Sequence, residues 1–210
     1  MIFVMSNNNS ELVRHLIEEG YLKTERIIGA FLSVDRKDFV PEEYKLESYG
    51  DYPLPIGYGQ TISQPATVAF MLELLQPRGG DKIIDVGTGS CWQTALLARV
   101  AGPTGKIFAA DRIRDLLEQG KENIKKYAFG NIDFLCADAT NGLAEQAPFD
   151  KIIAAAAGEA MPSAWLKQLK VGGRIVAPIK SSIWLYIKKS DVEFKKQEYP
   201  GFAFVPLVKE

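Results

Sequence analysis

The spacing of apolar residues along this chain changes once, near Asp81. Before that point it is helical. "SELVRHLIEEG" predicts a helix that Ser10 could cap and Gly20 could end. "TERIIGAFLSV" puts Ile27, Ile28, Phe31, Leu32 and Val34 at near-helical spacing behind Thr24, a candidate cap. A turn-rich stretch follows, with Pro41, Gly50, Pro53, Pro55, Gly57 and Gly59. "PATVAFMLELLQPRGG" then predicts a helix with Pro65 in its first turn and its end before Pro77. From Asp81 on, short apolar runs alternate with helical ones. "KIIDVG", "GKIFAAD", "IDFLCAD" and "FDKIIAAAA" predict four strands, with helices at "SCWQTALLARV" and "IRDLLEQGKENIKKYA" between the first three. "PSAWLKQLKVGGRIVAPI" predicts a helix, a Gly-Gly turn and a fifth strand, and "IWLYIKK" and "GFAFVPLV" two closing strands. Strands alternating with helices in this way imply βαβ units and a doubly wound, mostly parallel sheet of the α/β class.

Composition narrows the function. At 210 residues, 47% apolar and 24% charged, the chain is sized for one domain with a self-sufficient core. We expect one domain over 1–210: a helical extension and covering segment at 1–60 and a Rossmann-like core at 61–210. A net charge of −1 supplies no basic field, so nucleic acid is not an expected partner. No run approaches the roughly 18–20 apolar residues a membrane helix requires. "MIFVM" at the start lacks a basic region and a cleavage site, so no signal segment is expected. Cys91 and Cys136 have neither metal nor redox spacing, which suits a reducing cytoplasm. His15 is the sole histidine and lies far from every other motif, which speaks against a catalytic triad and against a His/Cys metal site.

The chemistry concentrates in "DVGTGS", residues 85–90, between the first strand of the α/β half and its helix. Glycines there let backbone approach a ligand, although a plain tight turn uses them too. Gly87 and Gly89 are followed by Trp92 where a dinucleotide fingerprint has its third glycine. Asp85 precedes the first glycine, which suits a ligand carrying positive charge better than a pyrophosphate. S-adenosylmethionine, with an ammonium and a sulfonium and no phosphate, meets that condition. Asp111 ends the second strand, placed either to accept ribose hydroxyls or to cap the following helix. Asp138 ends the third, as an adenine cap or a turn residue.

At these residues the chain resembles a known family. "FVP" near residue 40, "YGDYPLPIGYGQTISQP", "DVGTGS", "APFDKII", "LKQLKVGGRIVAPI" and the terminal "FVPL" are similar to the protein-L-isoaspartate O-methyltransferases over nearly the whole length. The resemblance implies a Rossmann-like methyltransferase fold. It implies methylation of the α-carboxylate of isoaspartyl residues in damaged proteins and peptides, with S-adenosyl-L-methionine leaving as S-adenosyl-L-homocysteine and no metal. It places Gln60, Thr61, Ile62 and Ser63 over the cofactor, adds Arg112 and Ala139 to the cofactor candidates Asp85, Gly87, Gly89, Asp111 and Asp138, and makes Ser63 the catalytic candidate. The residues leave Ser63 an alternative as a helix cap before Pro65. A carboxylate is ionised at neutral pH, so no base is needed and activity is expected to be flat from about pH 6 to 8. A monomer is expected.

The chain departs from the family at Cys91 and Trp92 in the glycine motif, at Ala139, at Glu159 and at Lys180. Cys91 is expected to be packed and inert, although it could line the cofactor pocket. Glu159 and Lys180 are expected near the substrate mouth, where they favour the alternatives: a methyltransferase for another carboxylate, or a module that binds cofactor without catalysis.

Overall fold

The structure, a computed structural model, describes residues 6–207. The reading of Met1 to Met5, and Val208 at the end of the last expected strand, lie outside the described residues.

Helix α1 (Asn9–Glu18) buries Leu12, Val13 and Leu16 and is capped by Asn8, whose side chain accepts from Glu11 N. Ser10, the expected cap, lies inside the helix. Asn8 wins because Glu11, three residues on, reaches back to Asn7 N at 2.8 Å, which satisfies donors from both directions. Helix α2 (Glu25–Ser33) starts after Thr24, but the Thr24 side chain caps nothing. Instead Glu73 of helix α3 (Pro65–Leu75) accepts from Lys23 N, Thr24 N and Thr24 Oγ1 at 2.6–2.9 Å, which pins α2 to α3. Helix α3 has Pro65 in its first turn and ends at Gln76, whose φ of 52° closes it before Pro77.

Between α2 and α3 the turn-rich stretch contains a hairpin that alternation does not reveal: β1 (Leu54–Gly57) pairs antiparallel with β2 (Gln60–Ile62). Tyr58 and Gly59 both have positive φ, 54° and 68°, the backbone twist that two-residue hairpin turns need.

The main sheet has seven strands: β3 (Lys82–Val86), β4 (Lys106–Asp111), β5 (Ile132–Cys136), β6 (Phe149–Ala154), β7 (Leu169–Ile179), β8 (Ser182–Lys188) and β9 (Phe194–Pro200), in the order β5-β4-β3-β6-β7-β8-β9. Pairs from β5 to β7 are parallel; β7–β8 and β8–β9 are antiparallel. Helices α4 (Trp92–Ala101), α5 (Arg114–Ile124) and α6 (Ser163–Gln168) connect them. Alternate strand residues feed two cores. Ile83, Ile107, Ile153 and Val176 pack with the residues of α1 to α4, and Ile84, Phe108, Ile152 and Ile175 pack with Trp165 of α6. The architecture is a doubly wound, Rossmann-like α/β fold with a helical N-terminal extension.

Two further expectations change. Gly172 and Gly173 make no turn; β7 runs through them. A Cβ on Gly173 would lie 2.8 Å from Lys170 O and 2.9 Å from Asp150 O, so the glycine serves close approach at a bulge where β6 advances from Phe149 to Lys151 while β7 goes from Leu169 to Arg174. The last strand is "FKKQEYP", residues 194–200, and not the apolar "GFAFVPLV". An edge strand tolerates, and is protected by, charged side chains, so it carries no apolar signal. Residues 201–207 are irregular apart from a bridge between Ala157 and Pro206, and Phe202 stacks on Phe70 of α3.

Candidate active site

The chain leaves β3 for β4 and β5 on one side and returns to β6 on the other. Connections diverge there, and a cleft opens at the carboxyl ends of the strands. It encloses about 890 Å³ of solvent-open space. Its floor is the segments after β3 (Gly87, Thr88, Gly89), β4 (Asp111, Arg112), β5 (Asp138, Ala139) and β6 (Ala155, Ala156). Its opposite wall is Gln60, Thr61, Ile62 and Ser63, and Val205 to Leu207 close a third side. Of the cofactor and catalytic candidates named from sequence, only Asp85 does not line it. His15 is remote, on α1.

Three acids have three different roles. Asp111 is buried; Oδ2 accepts from Gly89 N and Oδ1 from Ile113 N, both at 2.9 Å, so it braces the glycine loop. It does not cap α5, which begins after Ile113. Asp138 accepts from Thr140 N at 2.8 Å and Thr140 Oγ1 at 3.0 Å, holding a turn while it faces the cleft. Asp85 is fully buried behind the glycine loop, where it accepts from Gln93 Nε2 at 2.7 Å and Thr94 Oγ1 at 2.6 Å. Burial pushes its carboxyl up to about 6, against those two hydrogen bonds and with a smaller push from Asp111. As a contact residue Asp85 is corrected: its side chain turns to α4, and its reach into the cleft is through Gln93 and through charge.

The hairpin wall is organised by residues that sequence reasoning passed over. Ser63 does not cap α3; the first-turn donor Ala66 N is held by Asp51 Oδ1 at 2.8 Å, and Gln64 Nε2 reaches the same carboxylate at 3.2 Å. That leaves the Ser63 hydroxyl without a hydrogen-bond partner among the described residues. Arg36, wholly buried, donates to the carbonyls of Ser48, Gly50, Tyr52 and Ser63. In "VDRKDFVP" it reads as one of several surface charges, and no local pattern marks it. Trp92 Nε1 is a buried polar atom of the cleft floor with no hydrogen-bond partner among the described residues. Native interiors rarely leave such an atom unpaired, so it suits a polar ligand.

Cys91 does not line the cleft. It is buried at the start of α4 with φ 68°, and burial pushes its thiol up to about 12, which makes it inert. It packs against Gly120 of α5: a Cβ there would lie 2.4 Å from Cys91 Sγ and 2.8 Å from Gly89 O. Gly120→Ala is therefore expected to destabilise by about 1 kcal/mol or more and to weaken cleft binding by moving the glycine loop. Thermal melting of the variant with and without ligand checks this, and an unchanged melting point would show that the contact relaxes freely. Glu159 and Lys180 are exposed and do not line the cleft, so these departures leave its wall intact.

Comparison with known proteins bears on the family and the fold. The family model for protein-L-isoaspartate(D-aspartate) O-methyltransferase matches residues 7–210. A protein-L-isoaspartate O-methyltransferase of Ignicoccus hospitalis is 42% identical, covering 98% of this chain and 100% of its own. One from Methanopyrus kandleri is 39% identical, covering 99% and 94%. Among solved structures, a candidate protein-L-isoaspartate O-methyltransferase of Plasmodium falciparum in complex with S-adenosyl-L-homocysteine matches with a TM-score of 0.87 at 25% identity, covering 98% of this chain and 100% of that one.

Proposed function

This chain belongs to the protein-L-isoaspartate(D-aspartate) O-methyltransferase family, and from that premise we propose that it methylates the α-carboxylate of isoaspartyl residues in damaged proteins, using S-adenosylmethionine, as the first step of their repair. The observation that carries the reading is what the cleft's lining contains. Its titratable groups among the described residues are Asp111, Arg112 and Asp138 alone, with no His, Lys, Cys or Glu. Both acids are occupied by backbone and hydroxyl donors. A reaction that needed proton removal would be poorly served here. One that needs alignment of an ionised carboxylate and exclusion of water is well served.

The residues fit the cofactor. Gly87 and Gly89, with φ of 76° and 51°, bring bare backbone to the cleft floor. Asp111 keeps lone pairs for ribose hydroxyls, and Asp138 and Ala139 lie beside it on the floor. Trp92 Nε1 offers a hydrogen bond that no described residue takes. Asp85 puts negative charge behind the loop. S-adenosylmethionine supplies a methyl group on a sulfonium, already activated. The protein's part is to hold that group on the floor while Ser63 orients the acceptor carboxylate from the wall and Gln60, Thr61 and Ile62 cover the cleft. Residues 1–60 serve in this reading as extension and cover, and 61–210 as core. No helix among the described residues is long and apolar enough to cross a membrane; cytoplasmic action as a monomer, with isoaspartyl proteins and without nucleic acid, completes the proposal.

The test is transfer of labelled methyl from S-adenosylmethionine to an isoaspartyl peptide beside its normal aspartyl twin. Transfer to the first only is expected; equal transfer to both, or to neither, would overturn the substrate assignment.

Asp85 gives the site a pH dependence. Its carboxyl is raised above the ordinary carboxylate range to about 6, so between roughly pH 4 and pH 6 the folded state holds a proton that the unfolded state has lost. Stability contributed by this group is thus greatest below about pH 4, falls as pH rises to about 6, and is level above. Ligand binding has the opposite slope: ionised Asp85 favours a cation. S-adenosylmethionine affinity is expected to rise several-fold from pH 5 to 7, and that of the product, which lacks the sulfonium charge, to rise less. Asp85→Asn should remove the difference. Calorimetry across that range checks it; parallel pH profiles for the two ligands would show that Asp85 charge does not reach the cleft. The flat activity profile expected from the lack of a nearby histidine then holds only above about pH 6.5 to 7, where Asp85 is ionised.

A further inference from the structure

We infer that Arg36 is a positioning residue for methyl transfer: its guanidinium sets the spacing between the wall that carries Ser63 and the floor that carries Trp92. The inference rests on the methyl-transfer reading and adds to it how two separately folded halves of the site are held in register. The floor is built by the parallel sheet. The wall comes from the chain between α2 and α3, which holds two short 3-10 turns, Arg36–Phe39 and Glu42–Glu47, and one short hairpin, and belongs to no strand of the main sheet.

Arg36 joins them. Nη1 donates to Ser48 O at 2.7 Å and Gly50 O at 3.2 Å; Nη2 donates to Tyr52 O at 3.0 Å and Ser63 O at 3.2 Å. The guanidinium lies 5.5 Å from the ring centre of Trp92, the first residue of α4 and part of the cleft floor. One rigid planar fork thus touches the backbone of the candidate catalytic serine on one side and the floor on the other. Among the described residues no carboxylate pairs with it in a salt bridge, although Asp51 lies close enough to favour its charge, and burial pulls the guanidinium down to about 9. A fully buried cation is costly for a fold whose only need is to fill space, and an apolar side chain of similar volume would fill it with less penalty. What the cation supplies instead is four acceptors held at fixed distances. Transfer is sensitive to such placement, since displacement of a reacting group by about 1 Å can cost on the order of 100-fold.

The test compares Arg36→Lys and Arg36→Gln with Glu73→Gln. The lysine keeps the charge as a point and cannot span four carbonyls. The glutamine removes the buried charge and keeps two donors. Glu73→Gln loosens the same extension at Lys23 and Thr24, away from the cleft. Melting, calorimetric binding of S-adenosylhomocysteine, and kcat and KM for an isoaspartyl peptide are measured well below the melting points. The expected result is a kcat about tenfold lower in both Arg36 variants, product affinity within about twofold of the parent, and unchanged kcat in Glu73→Gln despite a lowered melting point. Losses of kcat that follow the melting point across all three variants, or a product affinity that falls in step with kcat, would assign Arg36 to stability alone and overturn the inference. So would unchanged kcat in the Arg36 variants, or failure of both to fold. Absence of transfer in the parent protein would instead sink the function on which the inference stands.

Discussion

Asp111→Ala is expected to weaken S-adenosylmethionine binding by roughly 1–3 kcal/mol, about 5- to 150-fold in affinity. Two losses combine. The carboxylate that would accept the ribose hydroxyls is removed, and the glycine loop loses its brace, because Gly89 N and Ile113 N both donate to Asp111 at 2.9 Å. Their shared acceptor is buried and both donor residues are half-buried, so leaving the donors unpaired is costly. Asp111→Asn is expected to fall between, since one oxygen becomes an N–H that must face a donor. Calorimetric titration with S-adenosylmethionine and S-adenosylhomocysteine, beside a melting curve for each variant, separates the two parts. A lower melting point with unchanged affinity would reduce Asp111 to a loop brace and remove the ribose contact from the proposal.

Ser63→Ala is expected to lower kcat/KM for an isoaspartyl peptide by about 10–100-fold, or 1.4–2.7 kcal/mol of barrier, with little change in melting point. The capping alternative predicted the reverse, a stability loss of about 1 kcal/mol. The structure separates the two, because Asp51 and not Ser63 holds Ala66 N at the start of α3. The Ser63 carbonyl remains bonded to Arg36 whatever the side chain, so the backbone should keep its place. Cofactor affinity should move less than transfer, since backbone groups of Gln60 to Ile62 are untouched. Melting and methyl transfer on one sample decide it. A lowered melting point with unchanged kcat/KM would return Ser63 to a structural role and leave the wall with no assigned catalytic side chain.

The βαβ order, the strands β3 to β6, the glycine motif and the acids at the strand ends were legible in the sequence. Each is signalled by neighbours a few residues apart: apolar runs, turn glycines, and an acid at a strand end. Parallel strands then put those ends on one edge, so Gly87, Asp111 and Asp138 could be placed together without coordinates. The β1–β2 hairpin and the β9 strand were not legible. The first is too short to show an alternating pattern, and the second is a charged edge strand whose structure depends on seven pairings with β8. The tertiary structure alone decided which side chains do local work and which reach across. Asp85 turns away from the cleft to Gln93 and Thr94, although in sequence it stands beside the motif. Asp51 takes the capping duty that position offered to Ser63. Arg36, a charge among charges in the sequence, becomes the buried link between wall and floor. Its partners lie 12 to 27 residues away along the chain, and the pairing of a buried donor with distant acceptors follows from packing, which no local spacing encodes.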